Sequence, residues 1–357
     1  MPELGAGTLF ANRFEIDRVA GSGGMGVVYR ARDRVSGEWV ALKLLQAGVA
    51  GPDDAARFTR EARLLAELRH PGIVGYVDHG RTPEGQRFLA MEWLEGEDLG
   101  RRLVRGRLPL PDCVALLRRI ADALACAHRS GVVHRDLKPS NVFLIDGELA
   151  RAKLLDFGIA RRLSASHVLT ATGRVIGTPE YMAPEQARGA RDLTPAADLF
   201  SLGCIFYECL TGHSPFGAEH LAAVLVRILF EAPAPLAERR PGLPAPLVRL
   251  VDRLLAKDPA QRLPDAAALH AELAALGELR EPVLGDTLAT RQVTAFAQHE
   301  QHLCSVVLAA PRRGDTTDDH SRGATLLPEE LSVGDPTGRA RDELLHTLHG
   351  LGVSAES

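Results

Sequence analysis

The chain has few cysteines, no long apolar run and no surplus of basic charge, and each shortage removes a class of protein. The five cysteines, Cys113, Cys126, Cys204, Cys209 and Cys304, form no C-x-x-C pair. Most lie in apolar, helix-like runs where a free thiol acts as a small core residue, so a reduced, cytoplasmic protein is expected. No stretch approaches the roughly 18 uncharged apolar residues that a membrane span needs. Met1 to Ala11 lacks a basic segment followed by an apolar one, so neither secretion nor membrane insertion is expected. With 42 Lys and Arg against 46 Asp and Glu, a formal charge of -4 and a pI near 6.4, no nucleic-acid partner is expected. What the chain does have is length: 357 residues, 45% hydrophobic and 25% charged, suffice for two lobes with separate cores.

The apolar periodicity changes along the chain. Strand-like runs occupy Phe14 to Ala20, Val27 to Asp33 and Trp39 to Leu45. A helix over Asp53 to Arg69 follows, then short strands around Val74 to Asp78 and Phe88 to Glu92. From Pro109 onward helices dominate: Asp112 to Arg129, opened by Pro111 and closed by Gly131, Thr194 to Leu210, opened by a Thr-Pro start and closed by Gly212, then Ala218 to Phe230, Pro246 to Ala256 and Pro264 to Leu276. The expected fold class is therefore α+β, a small sheet lobe with one main helix at about 14–91 and a larger helical lobe at about 97–276. Residues 1–13 read as an N-terminal extension, 277–297 as a linker and 298–357 as a tail.

The densest chemistry lies in His134-Arg135-Asp136-Leu137-Lys138-Pro139-Ser140-Asn141, followed by Asp156-Phe157-Gly158. Asp136 can take a hydroxyl proton, Lys138 can neutralise a phosphoryl group, and Asn141 with Asp156 offers hard oxygen ligands to Mg²⁺. Such residue types at this spacing rarely arise for another reason. Upstream, Gly21-Ser22-Gly23-Gly24-Met25-Gly26 precedes Val27-Val28. A glycine-rich run alone is weak evidence, but here strands lie on both sides, whereas a dinucleotide fold would place a helix after it. A hairpin tip without Cβ atoms can lie close over a triphosphate and offer it backbone N–H groups. Val40-Ala41-Leu42-Lys43 sets a lysine in an apolar strand. Phe58, Glu61, Leu65 and Leu68 recur at helical spacing, putting Glu61 in an inward stripe where a carboxylate needs a cation. Lys43 is the expected partner, held by Glu61 on the α- and β-phosphates. The bland alternative is a surface Glu61 paired along its own helix.

On these motifs residues 14 to 276 resemble the eukaryotic-type, or Hanks-type, serine/threonine protein kinases of bacteria. Gly177-Thr178-Pro179-Glu180-Tyr181-Met182-Ala183-Pro184-Glu185 resembles the end of that family's activation segment, Asp198 to Gly203 its buried central helix, and Arg262 the partner of the Glu185 carboxylate. The resemblance implies a two-lobed kinase fold and transfer of the ATP γ-phosphate to serine or threonine of protein substrates in bacterial signalling. Mg²⁺ is the implied ion, with Mn²⁺ as an alternative. The implied catalytic set is Asp136, Lys138, Lys43, Glu61 and Thr178, with Asn141 and Asp156 on the metal. The implied ATP contacts are Gly21, Ser22, Gly23, Gly24, Met25, Gly26, Val28, Ala41, Lys43, Met91 as gatekeeper, and Glu92 and Leu94 at the hinge. Arg135 implies a basic pocket for a phosphorylated loop residue, and Thr170 and Thr172 are favoured over Ser164 and Ser166. Homodimerisation is left open.

His299, His302 and Cys304 lack a fourth ligand, so no structural metal is assigned there. An amphipathic helix is expected around Arg339 to Leu351, and Glu300 to Ala309, with the helix at Leu344 to Gly352, faintly resembles the first strand and helix of a class III nucleotide-cyclase fold. Ala309-Ala310-Pro311 carries no carboxylate where a metal-binding aspartate belongs, so a degenerate regulatory module without cyclase activity is expected. Two other readings compete with an active protein kinase. A nucleotide-binding pseudokinase scaffold is opposed by the intact Lys43, Asp136, Asn141 and Asp156. A small-molecule kinase is opposed by the Gly177 to Glu185 segment, which resembles a shelf for an extended peptide.

Overall fold

The computed structural model describes residues 4–23, 26–45, 52–83, 85–157, 179–190, 192–277 and 279, without the side chains of residues 52–58 and 61. Apart from Gly277 and Leu279, the expected linker and tail, with His299, His302, Cys304 and both predicted tail elements, lie outside these residues. Among the described residues no helix is long and apolar enough to cross a membrane.

The first lobe is a six-stranded antiparallel sheet in the order β1-β2-β3-β4-β6-β5, with β1 Leu9–Phe10, β2 Phe14–Gly23, β3 Gly26–Asp33, β4 Trp39–Leu45, β5 Tyr76–Arg81 and β6 Arg87–Glu92. Leu9–Phe10, in the stretch read as an extension, thus joins the sheet. Helix α1, Pro52–Glu67, connects β4 to β5. Side chains alternate across β4: Val40, Leu42 and Leu44 enter a core with Phe10, Phe14, Tyr29, Phe88 and Ala90, while Ala41 and Lys43 face the other way. Phe88 meets Phe10 and Phe14 edge-on at centroid distances of 5.3 and 5.7 Å.

Arg13 fastens this lobe. Its Nε and Nη2 donate to the buried Asp33 at 2.7 and 2.8 Å, and its Nη1 donates to Asp78 on β5 at 2.5 Å. Asp33 also accepts the Val35 N–H and the Ser36 hydroxyl, both at 3.0 Å, which caps the β3–β4 turn. The Arg13 hydrogen bonds, prevailing over burial, hold the Asp33 carboxyl well below the usual carboxylate range.

The strand expected from Val74 begins at Tyr76 instead. The reason is tertiary: the Leu154 N–H donates to the Gly72 carbonyl at 2.8 Å and the Val74 N–H donates to the Leu154 carbonyl at 3.0 Å, so residues 72–74 pair with the other lobe. Beyond the hinge come β7 Gly96–Asp98 and α2 Leu99–Val104, and then α3 Leu110–Arg129. Strands β8 Val142–Ile145 and β9 Ala152–Leu154 complete a three-stranded sheet in the order β7-β8-β9.

The helical lobe continues with α4 Pro184–Ala187, α5 Pro195–Thr211, α6 Leu221–Phe230, α7 Leu236–Arg239, α8 Ala245–Leu254 and α9 Ala266–Ala275. Helix α5 is apolar on nearly every side and almost wholly buried, so the other elements pack around it. Gly203 permits the close approach of α8, since a Cβ there would stand 2.8 Å from Leu254 Cβ. Arg262 fills all five of its N–H positions, with Glu185 at 2.7 and 2.9 Å and the carbonyls of Ala256, Ala196 and Lys257 at 2.7, 2.9 and 3.1 Å. A guanidinium with every donor paired can be buried without an orphaned charge.

Candidate active site

One face of the first sheet carries the residues assigned to the nucleotide. Across the strands Val28 pairs with Lys43 and Lys43 with Leu89, while Ala41 pairs with Met91. Partners across a ladder project to the same side, so these residues form successive rungs of a single surface. At its rim β2 and β3 continue to the register Gly21 with Val28 and Gly23 with Gly26, which puts the glycine-rich turn at the hairpin tip. Gly26 can be no other residue. Its φ is +142°, and a Cβ would lie 1.9 Å from the Leu44 carbonyl oxygen. Gly24 and Met25 fall outside the described residues.

The hinge is gripped from behind. The Glu92 N–H donates to the Gly75 carbonyl at 2.8 Å, and Glu92 Oε1 accepts the Gly75 N–H at 2.5 Å and makes a close ion pair with Lys153 on β9. The Glu92 side chain therefore ties the hinge to the second sheet.

Residues 134 to 141 are held from beneath by a single carboxylate. Asp198, on α5 and 1% exposed, accepts the backbone N–H groups of His134 at 2.7 Å and Arg135 at 2.8 Å, together with His128 Nε2 at 2.9 Å. Arg135 has φ +66°, a left-handed conformation that costs a non-glycine residue about 1–3 kcal/mol, and the Asp198 bond to its N–H helps hold it there. The His128 ring is held on its other side too, where its Nδ1 meets the Ala266 N–H at 3.3 Å. His134 in turn donates from Nε2 to the Leu155 carbonyl at 2.8 Å and lies 4.6 Å from the Phe157 ring. Gln186 closes the frame by donating from Nε2 to the Arg135 carbonyl at 2.8 Å. His128, Gln186 and Lys153 were not singled out in the sequence, because each acts across a separation of 51 to 70 residues.

Within that frame Asp136 Oδ2 receives Lys138 Nζ at 2.9 Å and Asn141 Nδ2 at 3.2 Å, and the same Nδ2 donates to the Asp136 carbonyl at 2.7 Å. Asn141 thus commits its amide nitrogen to Asp136 and turns its Oδ1 away. The second carboxylate, Asp156, has φ +49° and binds Lys43 Nζ at 2.7 Å. Two hard oxygen donors, the Asn141 amide oxygen and the Asp156 carboxylate, suit a divalent cation that keeps phosphate or water in its remaining positions. Among the described residues no cluster of three or more His, Cys, Asp and Glu offers a closed metal cage. The Glu61 side chain, Thr170, Thr172 and Thr178 fall outside the described residues, and the Lys43 partner within them is Asp156.

Beside this group Tyr181 donates its hydroxyl to Glu208 at 2.6 Å, and its carbonyl accepts the Ser201 hydroxyl at 2.7 Å. Burial pushes the Glu208 carboxyl upward and the Tyr181 phenol far upward, so the phenol stays protonated as the donor.

Residues 14–273 match the protein kinase domain family. The chain is 33% identical to the serine/threonine-protein kinase pkn3 of Myxococcus xanthus over 98% of its own length and 68% of that protein's. It is 38% identical to PknA of Mycobacterium tuberculosis, over 77% of its own length and 64% of that protein's. The crystal structure of the PknI kinase domain of Mycobacterium tuberculosis superposes with a TM-score of 0.61 at 31% identity, covering 76% of this chain and 100% of that one. The chain belongs to the protein kinase domain family. Within it the chain is a Hanks-type bacterial serine/threonine protein kinase with the two-lobed fold, a class that uses ATP, a divalent metal and protein substrates. It spans about two thirds of the length of these curated relatives.

Proposed function

We propose that this chain transfers the γ-phosphoryl group of Mg²⁺-ATP to serine or threonine hydroxyls of proteins, with Asp136 as the base. The observation that carries this reading is the position of the Asp136 carboxylate, held by Lys138 and Asn141 in a loop that Asp198 pins from below. Val28, Ala41 and Met91 line the adenine side, with Glu92 and Leu94 offering main-chain groups at the hinge. Gly21, Ser22, Gly23, Gly24, Met25 and Gly26 cover the phosphates. Lys43 exchanges its Asp156 contact for the α- and β-phosphates, with Glu61 as its second support. Mg²⁺ between Asn141 and Asp156 neutralises phosphate charge when bound.

Asp136 orients the acceptor hydroxyl and takes its proton. The hydroxyl oxygen forms the new P–O bond while the bond to the β–γ bridging oxygen breaks, and ADP departs with that electron pair. Lys138 offsets charge on the transferred group, and Thr178 helps close the site. Autophosphorylation at Thr170 or Thr172, answered by Arg135, would switch the site on. Cytoplasmic residence, and a linker at 277–297 followed by a regulatory tail, complete the proposal.

The test is incorporation of phosphate from Mg-ATP into protein, with its position mapped by mass spectrometry. Wild type should label serine or threonine, with Thr170 or Thr172 among the sites. Asp136→Asn should lose about 10²–10⁴-fold in rate, the typical contribution of general-base catalysis, at an unchanged melting temperature. Undiminished labelling in that variant would remove Asp136 from the role.

A further inference from the structure

Both tryptophans of the chain stand at one edge of the nucleotide-facing side of the first sheet, and one guanidinium lies against both of them. Arg30 Cζ is 4.0 Å from the Trp39 ring centroid and 5.5 Å from that of Trp93. Arg32 approaches Trp39 at 5.4 Å and Arg18 approaches Trp93 at 5.8 Å, so the rings are set among cations. Asp17 supplies countercharge, 2.7 Å from Arg18 and 3.7 Å from Arg30. The Arg30 side chain is 20% exposed, and its Nε is buried without a hydrogen-bond partner among the described residues. A buried guanidinium N–H left unpaired is unfavourable. The indole faces compensate, because their negative quadrupoles attract the delocalised cation most strongly where water is excluded.

The position of this stack gives it a bearing on the site. Arg30 is the direct cross-strand partner of Ala41, and Ala41 is that of Met91. One rung further along lie Val28 and Lys43, and one rung back lie Arg32 and Trp39. Trp93 follows Glu92 in the hinge, donates its N–H to the Trp39 carbonyl at 3.3 Å, and donates Nε1 to Glu95 at 2.6 Å. The first of these adjacent hinge residues thus reaches across to the second sheet, while the next is held by the first sheet. Lys153 of the second sheet takes Glu92, and the Arg30 stack of the first sheet takes Trp93.

We propose that Arg30 is a positioning residue for the nucleotide: through Trp39 and Trp93 it fixes residues 92–94 against the strand bearing Ala41, and so sets the width of the slot for a planar purine. This rests on the reading of residues 92–94 as the adenine-binding hinge. Arg30 touches no phosphate and takes no part in bond making. Its removal therefore weakens nucleotide binding and leaves the phosphoryl-transfer step of the saturated enzyme in place.

The two indoles give a label-free readout in the full chain. Titration of wild type with ADP and Mg²⁺ should change tryptophan emission saturably. In Arg30→Leu the emission maximum shifts to the red, the ADP dissociation constant and the KM for ATP rise about five- to tenfold, and kcat changes by less than about twofold. Arg30→Lys, which keeps a cation over the rings, recovers part of the affinity. Folded Arg30→Leu that binds ADP within about twofold of wild type overturns the inference, and so does an equal loss in the lysine and leucine variants, which would mark simple packing. Should Arg30→Leu not fold, Trp93→Leu takes its place with the same expected loss of affinity and the same overturning result. Wild type that binds no nucleotide would instead remove the hinge reading itself.

Discussion

Asp33 carries a consequence for acid stability that can be measured without any substrate. Its carboxyl titrates below the ordinary carboxylate range when folded, because Arg13 donates two hydrogen bonds to it. The unfolded chain returns it to about 3.9, so between those values the unfolded state binds more protons and stability rises with pH. The Asp33 contribution is complete above about pH 5 and is lost as pH falls through the folded value. Urea unfolding midpoints of wild type should fall steeply from pH 5 to pH 3, whereas Asp33→Asn should start lower and show a shallower slope. Parallel slopes would separate Asp33 from the acid limb. The Arg13–Asp33 pair was not legible in the sequence, since nothing local joins residues 20 apart, one in the β1–β2 turn and the other at the end of β3. Asp136, Lys138 and Asn141 were legible because they share one short loop whose chemistry depends on spacing alone. Asp198 stands between these cases: its helix was recognised, but its three donors come from other segments of the chain.

At the scale of elements, α5 and its contact with α8 set the packing of the helical lobe. The Gly203 Cα faces Leu254 and Leu255, with distances of 2.8 and 3.1 Å to a Cβ that the glycine lacks. Gly203→Val should therefore push the helices apart and cost about 1–3 kcal/mol, the usual range for overpacking, read as a lower urea midpoint at unchanged slope. An unchanged midpoint would mean that α8 can yield at no cost. Long helices with apolar periodicity were legible: α3 was expected from Asp112 and starts at Leu110, and α5 was expected from Thr194, which proves to be its cap. Short elements were not. Strand β7 has three residues and α2 has six, and both exist through partners elsewhere, β7 through β8 and α2 through the Pro139–Asn141 turn and β8. The start of β5 was misplaced for the same reason, because Val74 meets its hydrogen-bond partner in Leu154.

For the whole molecule, a ligand that binds between the lobes should stabilise them together. At a concentration about 100 times its dissociation constant, ADP with Mg²⁺ contributes about 2.7 kcal/mol by mass action. At about 2–4 °C per kcal/mol for a domain of 150–250 residues, this raises the melting temperature by about 5–10 °C. Adding EDTA should reverse most of the rise, because Asn141 and Asp156 are assigned to the ion rather than to the base. A shift that survives EDTA in full would separate nucleotide binding from these two residues.

The attachment of the loop at 134 to 141 to Asp198 lets the two substrates be selected independently. Asp136 takes its place when the helices assemble, from contacts that involve neither the glycine-rich turn nor the strand bearing Lys43. Changes in the first sheet can then retune the response to nucleotide concentration, and changes on the outer surfaces of the helices can redirect the enzyme among protein targets, while the proton acceptor stays where it is.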